Sequence, residues 1–390
     1  MQYGKGVIFM NVSILDNIKG RFGFGCMRLP MQGEEVDIEE TKRMVDAFMA
    51  AGLNYFDTAH VYLSGKSELA VKECLTSRYP RASYVLADKL TSGLFSKEED
   101  ILPLFQKQLE CCGVDYFDIY LMHAVDRHIY PQYENTRAFE ILSDLKKQGK
   151  IRRMGLSYHD SGEFLDKILT EHPEIDVVQI QFNYVDYEDA TVQSRLVYEA
   201  CEKHGKPIIV MEPVKGGGLV KLPEEAQKIF DDLNARTGHT YSNAAYALRF
   251  AASFPQIAMV LSGMGSKEQM LDNLSAMQPP QPLDEAEKEA IRQVTEVFRG
   301  LHLIPCTACH YCTDGCPMQI QIPDLFAVLN AKNVFHDGIA NYYYENSLTV
   351  GGHGKASDCI ECGHCEGICP QHLPVIELLK QVSEVFDKKA

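Results

Sequence analysis

No apolar run in the 390-residue sequence approaches the roughly 18 residues that a bilayer-spanning helix needs, so no membrane partner is expected. Positive charge is also scarce: 38 lysines and arginines stand against 54 aspartates and glutamates, a net charge of −16. Binding a phosphate backbone needs a basic face, so no nucleic-acid partner is expected either, while a small anionic substrate remains compatible with a local pocket. The stretch GVIFMNVSIL near the start is apolar but lacks the basic flank and small-residue cleavage site of a secretion signal. It reads as an N-terminal strand, or as extra sequence ahead of a true start at Met10 instead of Met1. Low-complexity tracts are missing as well, and with 45% hydrophobic and 24% charged residues the composition is that of an ordinary globular protein. A cytoplasmic location is expected.

The chain exceeds the length at which one hydrophobic core stops growing, which predicts a large domain and a smaller one. It also holds thirteen cysteines. Five of them (Cys26, Cys74, Cys111, Cys112 and Cys201) are scattered. The other eight fall in two runs, CTACHYCTDGCP at 306–317 and, fifty-three residues on, CIECGHCEGICP at 359–370. Metal-bound thiolates in a reducing compartment explain that distribution better than a disulfide framework.

Before residue 284 short apolar runs alternate with amphipathic segments. FGFGCMRL (22–29), NYFDTA (54–59), YVLADKL (84–90), DIYLMHA (118–124), RRMGLSY (152–158), VVQIQFN (177–183), PIIVMEP (207–213) and IAMVLSG (257–263) read as strands. Helical patterns lie between them, such as DIEETKRMVDAFMAAG, with Ile38, Val45, Phe48 and Met49 on one face and Gly52 at its end. Eight strands alternating with helices over about 250 residues are the mark of a (β/α)₈ TIM barrel. A doubly wound open sheet would call for a Gly-x-Gly-x-x-Gly turn after its first strand, and there is none. The expected organisation is a barrel over 1–283, a connecting helix over 284–300 after the PPQP turn, and a small, mostly α-helical domain over 301–390.

Catalytic groups of such barrels project from the C-terminal strand ends. Those ends supply Asp57, then Tyr62 in the following loop, Lys89 and His123. Singly, each has a plain structural reading as a cap, a packed ring or a solvated charge; together they suit carbonyl reduction. Hydride arriving at a carbonyl carbon leaves charge on oxygen, which must be protonated. A buried ammonium, Lys89, is expected to ease proton release from the Tyr62 phenol, with Asp57 holding the ammonium. His123, as neutral imidazole, can donate a hydrogen bond to the substrate oxygen.

With DTAHVY (57–62), ADKL (87–90) and LMHAV (121–125), together with GFGCMRLP, GLSYH, VQIQFNY and SGMGSKEQMLDNL, residues 20–285 resemble the aldo-keto reductase superfamily. The resemblance implies catalysis by Asp57, Tyr62, Lys89 and His123 and a nicotinamide cofactor, NADH or NADPH, laid across the barrel top. Contacts are implied for Gly25, Cys26, Met27 and Arg28 after the first strand, Ser157 after the fifth, Gln179 on the sixth, Met211 on the seventh, and Gly263, Gln269 and Asn273 at the last. Arg28 is a candidate for holding an anionic group, and Cys26 reads more readily as a buried spectator than as a catalytic thiol. His159 and Asn183, at the fifth and sixth strand ends, are candidate pocket walls. The match departs from the family pattern at four places. Tyr158 replaces the asparagine after Ser157, Met211 replaces the tyrosine that stacks on nicotinamide, and Gly263 and Gln269 replace the basic residues that many members set on a 2′-phosphate. Lys267 lies close by. The weakened contacts leave a flavin, such as FMN, open in the same trough. GGG at 216–218 suits either close phosphate contact, through Gly216 and Gly217, or a plain loop.

In each cysteine run three thiolates at two-residue gaps can converge on one cubane, with a fourth before proline. In two-cluster ferredoxins the last cysteine of a run ligates the other cluster. That assigns Cys306, Cys309, Cys312 and Cys369 to one [4Fe–4S] centre, and Cys359, Cys362, Cys365 and Cys316 to the other. Structural zinc is the alternative, and the exact repeat argues against it. The segment between the runs, with IPDLFAVLNAKNVF and IANYYYENSL, reads as helical and resembles the α-helical kind of two-cluster ferredoxin domain; Tyr342, Tyr343 and Tyr344 read as packing. The whole chain resembles the aldo-keto reductases that carry such a tail. The expected activity is carbonyl reduction by NAD(P)H on a small-molecule substrate, with the clusters relaying electrons and an electron-transfer protein as a candidate partner. Two alternatives stand beside it: a flavin fed by single electrons, since nicotinamide gives hydride in one step, and clusters that serve only to fold the tail.

Overall fold

The computed structural model describes residues 14–189, 192–301, 303–335 and 339–387. Most of GVIFMNVSIL, and with it the choice between Met1 and Met10, lies outside these residues; its last two, Ile14 and Leu15, are buried and not in a strand.

Eight strands form a closed parallel barrel: β1 (Phe22–Gly25), β2 (Tyr55–Asp57), β3 (Val85–Thr91), β4 (Phe117–Val125), β5 (Ile151–Tyr158), β6 (Val177–Gln181), β7 (Ile208–Met211) and β8 (Ile257–Gly263). Gly23 pairs with Tyr55 on one side and Leu261 on the other, which closes the ring. Each strand begins and ends within its expected apolar run or one residue beyond it. Because both faces of a parallel strand are covered, β3 reads VLADKLT with all but its last residue buried. Near the strand starts Ile14 and Leu15 join Tyr55, Val85, Ile119 and Val177 in one apolar cluster. Gly155 in β5 is required there, since a Cβ would collide with the Val177 carbonyl.

Helix α1 (Ile38–Ala50) shows how the outer layer is set. The Asp37 carboxylate caps it by accepting from the Glu40 amide at 2.9 Å, and Glu39 and Glu40 complement its positive end. Its buried face is Thr41, Met44, Val45 and Phe48; Ile38 and Met49 are only half-buried, so the stripe is rotated slightly from the expected one. Helices α2 (Lys66–Val71) and α3 (Glu98–Cys112) follow β2 and β3.

The chain divides into two compact units, residues up to Pro213 with Ala244–Asp284, and Val214–Asn243 with Glu285 onward. The first contains all eight strands. In the second, helix Glu224–Thr237 packs on helix Glu285–Leu301, and His239 pairs with the buried Glu287 at 3.6 Å. The tail of this unit is helical, as expected, with α4 (Ile322–Phe335) and α5 (Val375–Phe386) the longest helices after Leu301. Leu325, Phe326, Leu329, Leu379 and Val382 build its core, and Tyr344 stacks on Phe386 at 4.7 Å, which is the packing role expected of it. No helix among the described residues is long and apolar enough to cross a membrane.

Candidate functional site

The ends of β2, β3 and β4 bring Asp57, Lys89 and His123 together. Register explains this: Asp57 pairs with Ala87, Lys89 with Leu121 and Thr91 with His123, so the three functional residues climb the barrel stepwise. Lys89 is fully buried and its Nζ donates to Asp57 Oδ1 at 2.5 Å and to the Thr58 carbonyl at 2.8 Å. The same ammonium sits 4.7 Å from the centre of the Tyr62 ring, close enough for a cation–π contact. The Tyr62 and His123 rings meet edge to face at 5.8 Å. Gln179 Nε2 donates to Asp57 Oδ2 at 3.1 Å, which ties it to the same cluster.

Burial, followed by the charge of Asp57, holds the Tyr62 phenol well above its ordinary value, and the Arg28 guanidinium only partly offsets this, so the phenol is protonated. Burial, then Lys89 and His159, push His123 well below the ordinary imidazole value, so the ring is neutral. Its Nδ1 lies 2.8 Å from Thr91 Oγ1. Tyr133 braces both strand ends by donating to the Leu90 and His123 carbonyls at 2.8 Å and accepting from the His123 amide.

Gly25 and Gly263 are in register on β1 and β8; a Cβ on Gly25 would press on the Ser262 backbone and one on Gly263 on the Arg28 side chain. Arg28, in the turn Cys26–Arg28 that follows, is half-buried and 3.6 Å from Glu212. Met27 is half-buried as well; Cys26 is buried, and burial and then Asp57 raise its thiol, which makes it a poor nucleophile. Ser157 is buried with Oγ 3.9 Å from Met211 Sδ. Tyr158 turns its hydroxyl to the Ser161 carbonyl. Asn183 is a brace and not a pocket wall: its amide donates to Asp186 Oδ2 and to the Glu212 carbonyl, holding Glu212 in a left-handed conformation. The His159 amide donates to the Val125 carbonyl. Beyond β8, Gln269 folds back to accept from the Gly265 amide at 2.8 Å, and Asn273 donates to Ser262. Gly216 is left-handed, and a Cβ there would run into the Thr307 carbonyl, so close packing on the backbone next to Cys306 gives this glycine its reason.

In the tail two small cavities are each ringed by four cysteines. Cys306, Cys309, Cys312 and Cys369 line the first; Cys359, Cys362, Cys365 and Cys316 line the second. Each cavity therefore takes three cysteines from one run and one from the other, and Ile322 lines both. The backbone repeats along with the sequence. Ala308 and Glu361, His310 and Gly363, and Gln319 and His372 are all left-handed, each pair separated by the same fifty-three residues as the runs. These reversals curl the loops inward so that thiols near in sequence face one centre. None of the thirteen cysteines is disulfide-bonded.

Thr91, Thr58, Tyr133 and Glu212 escaped the sequence reading. Thr91 carried a signal, since it lies two residues after Lys89 and so shares its strand face.

A parallel barrel with this strand-end cluster and a cysteine-lined tail defines the class. The Aldo/keto reductase family model matches residues 21–296 and a 4Fe-4S dicluster domain model matches residues 305–373. The chain belongs to the aldo/keto reductase family and carries an iron–sulfur domain behind the barrel; it is an oxidoreductase with iron–sulfur centres. Among curated relatives, the NADH-specific methylglyoxal reductase of Escherichia coli is 25% identical over 290 residues, which cover 63% of this chain and 85% of that protein. L-galactose dehydrogenase of Arabidopsis thaliana is 25% identical over 271 residues, 65% of this chain and 83% of that one. An aldo-keto reductase from Klebsiella pneumoniae, solved with NADPH, shares the fold with a TM-score of 0.57 at 20% identity, over 70% of this chain and 90% of that one. A Bacillus halodurans aldo-keto reductase in holo form gives a TM-score of 0.58 at 24% identity, over 70% and 91%.

Proposed function

We propose that this protein reduces the carbonyl group of a small aldehyde or ketone with NAD(P)H. The observation that carries the reading is the buried Lys89–Asp57 pair against the Tyr62 ring, with neutral His123 beside it. The nicotinamide supplies hydride when bound. As charge builds on the carbonyl oxygen, Tyr62 Oη delivers its proton; the raised phenol keeps that proton until a more basic alkoxide oxygen demands it. Lys89 steadies the phenolate left behind, and Asp57 with the Thr58 carbonyl keeps the ammonium in place. With Nδ1 taking the Thr91 hydroxyl proton, His123 presents Nε2–H to the substrate oxygen and orients it.

The residues fit a nicotinamide cofactor. Arg28, whose side chain lies against Gly263, and Met27 would hold it from the first strand end, with Ser157, Gln179 and Met211 on β5, β6 and β7. Nothing in the site or in the related proteins supports the flavin kept open from the sequence. For the tail, Cys306, Cys309, Cys312 and Cys369 are assigned to one [4Fe–4S] cluster and Cys359, Cys362, Cys365 and Cys316 to the other, relaying single electrons. The apolar walls and four thiols of each cavity suit such a group. Cys362 is exposed and flanked by exposed Ile360 and Ile368, an apolar approach by which a small electron-transfer protein would reach its cluster. A chain with thirteen undisulfided cysteines suits the reducing cytoplasm.

Anaerobically prepared protein, given methylglyoxal with NADH or NADPH, tests the reading. Tyr62→Phe should lower kcat by about 10²-fold or more; undiminished turnover would sink the mechanism. Bleaching of the cluster absorption by NAD(P)H in a single turnover is expected for a relay. Its absence would select clusters that only hold the tail together, a role favoured by the way Ile322 walls both cavities.

A further inference from the structure

Behind β3, on the face opposite Lys89, lies a fully buried polar cluster that the reaction does not use. Glu68 of α2 and Asp88 of β3 are both completely buried, with carboxylate oxygens within 4.8 Å of each other and sharing one donor. Gln108 of α3 holds them. Its Oε1 accepts from Tyr120 Oη at 2.5 Å, which fixes the amide orientation and turns Nε2 toward Glu68 Oε1 (3.3 Å), Asp88 Oδ1 (3.2 Å) and the Lys89 carbonyl (2.9 Å). Asp88 Oδ1 also accepts from the Lys89 amide at 2.8 Å. Glu68 Oε2 meets His60 Nδ1 at 2.7 Å. His60 and Glu68 thereby bridge the turn that follows Tyr62, where Leu63, Ser64 and Gly65 are left-handed in succession. A run with two left-handed non-glycine residues persists only when its surroundings hold it. Ser67, bonded to Thr58 and to the Cys26 carbonyl, is its other anchor.

We propose that Asp88 carries a proton and donates it to the Glu68 carboxylate, and that this acid pair, through Gln108 and His60, positions the two segments bearing Lys89 and Tyr62. The chemistry of the surroundings requires it. Two carboxylates this close and out of water cannot both be ionised, and the pair needs a donor between them. Glu68 has Gln108 on Oε1 and His60 on Oε2, whereas Asp88 Oδ1 receives two amide donors and Oδ2 faces only the weak Cys112 thiol at 3.7 Å, which leaves Oδ2 to carry the proton. The groups facing the pair are His60 before α2, Lys107, Cys111 and Cys112 on α3, Lys89 on β3 and Tyr120 on β4. Of these only the two lysines are cationic, and Lys89 is already paired with Asp57. Burial pushes both carboxyls up, in agreement with a retained proton.

The sign of the pH effect follows. Carboxyls raised above their unfolded values of roughly 4 contribute stability below that pH and lose it as pH rises through the folded values. Asp88→Asn should mimic the protonated acid, since its carbonyl keeps the Lys89 and Gln108 donors and its NH₂ donates to Glu68. The wild-type melting temperature should therefore fall from pH 6 to pH 9, and D88N should fall distinctly less. Glu68→Gln puts a donor against His60 or Gln108, and should melt lower than wild type at every pH. In infrared spectra of the full chain at pH 7, one protonated-carboxyl band should be present in wild type and missing from D88N. A melting slope in D88N equal to that of wild type, or an unchanged carboxyl band, would overturn the proposal. Zinc bound stoichiometrically and lost in D88N would overturn it too, because the atoms of Glu68, Asp88 and Cys112 lie within 4.8 Å of one another and would then share a cation in place of the proton. The positioning role rests on the reductase reading above, but the melting slope and infrared band do not depend on turnover. With methylglyoxal as substrate, E68Q should lower kcat more than it raises KM. A wild type without turnover would count against the reductase and leave the acid pair standing.

Discussion

In the proposed mechanism Thr91 sets which nitrogen of His123 faces the substrate. Its hydroxyl lies 2.8 Å from Nδ1, and the valine isostere would remove that partner with almost no change in shape. Thr91→Val should lower kcat/KM for carbonyl reduction by about tenfold, the worth of roughly one hydrogen bond, with little change in melting temperature; steady-state kinetics beside a thermal melt would check both. The same environment sets a pH expectation. Tyr62 is raised and His123 lowered, so both keep their working protonation state from about pH 6 to 9, where an ordinary imidazole would be only about one-quarter neutral at the acid end. The tetrad should add no acid or alkaline limb to kcat/KM in that window. A basic limb lost in Tyr62→Phe would contradict the burial-driven shift. Asp57, Tyr62, Lys89 and His123 are legible in the sequence because strand ends of a barrel are numbered by its alternation. Asp88 was harder to read: a carboxylate facing away from Lys89 inside an apolar strand is visible, but the helices that bury it belong to other parts of the chain.

Two short elements deserve their own tests. The turn after β8 lacks cationic side chains at Gly263 and Gln269, and the Gln269 amide is used to close the turn on Gly265. We expect NADH to be preferred to NADPH in kcat/KM, and Gln269→Arg to narrow the ratio; a wild-type preference for NADPH would refute this. The loop after β7 meets the cysteine tail at Gly216. Gly216→Ala adds a Cβ against the Thr307 carbonyl at a left-handed position, which costs about 1–2 kcal/mol before any clash. It should reduce iron retained per chain after anaerobic purification as well as stability. Here the sequence leaves phosphate contact and a plain loop both open, because three glycines in a row offer no means to tell a ligand from a neighbouring backbone. The eight strands came through to within a residue at most ends, because continuous apolar runs bounded by turns are a local signal. The left-handed residues flanking the cysteines did not, since Ala308, Glu361 and Gln319 are not residue types that announce such a conformation.

Across the molecule as a whole, the division into a strand-bearing unit and a cysteine-bearing unit implies separable behaviour. Chelation of iron should abolish the helical signal and protease resistance of the tail first, since its apolar core is packed directly against the cysteine cavities. The proposed ligand sets predict a crossed pattern of damage. Cys369→Ser should alter the same electron-paramagnetic-resonance signal as Cys306→Ser, and Cys316→Ser the same one as Cys359→Ser. Pairing by run instead would show the two cavities to be ringed differently in the loaded protein.

The exchange of one cysteine between the two runs also constrains how the tail matures. A run that has folded alone offers three thiols and a gap, and its fourth ligand arrives only when the other run is in place. With the proposed ligand sets, loading one centre would organise the other, and losing one, for instance to oxygen, would remove a ligand's anchor from its neighbour. Partially filled preparations should be mixtures of chains with both clusters and chains with none, with few carrying a single one.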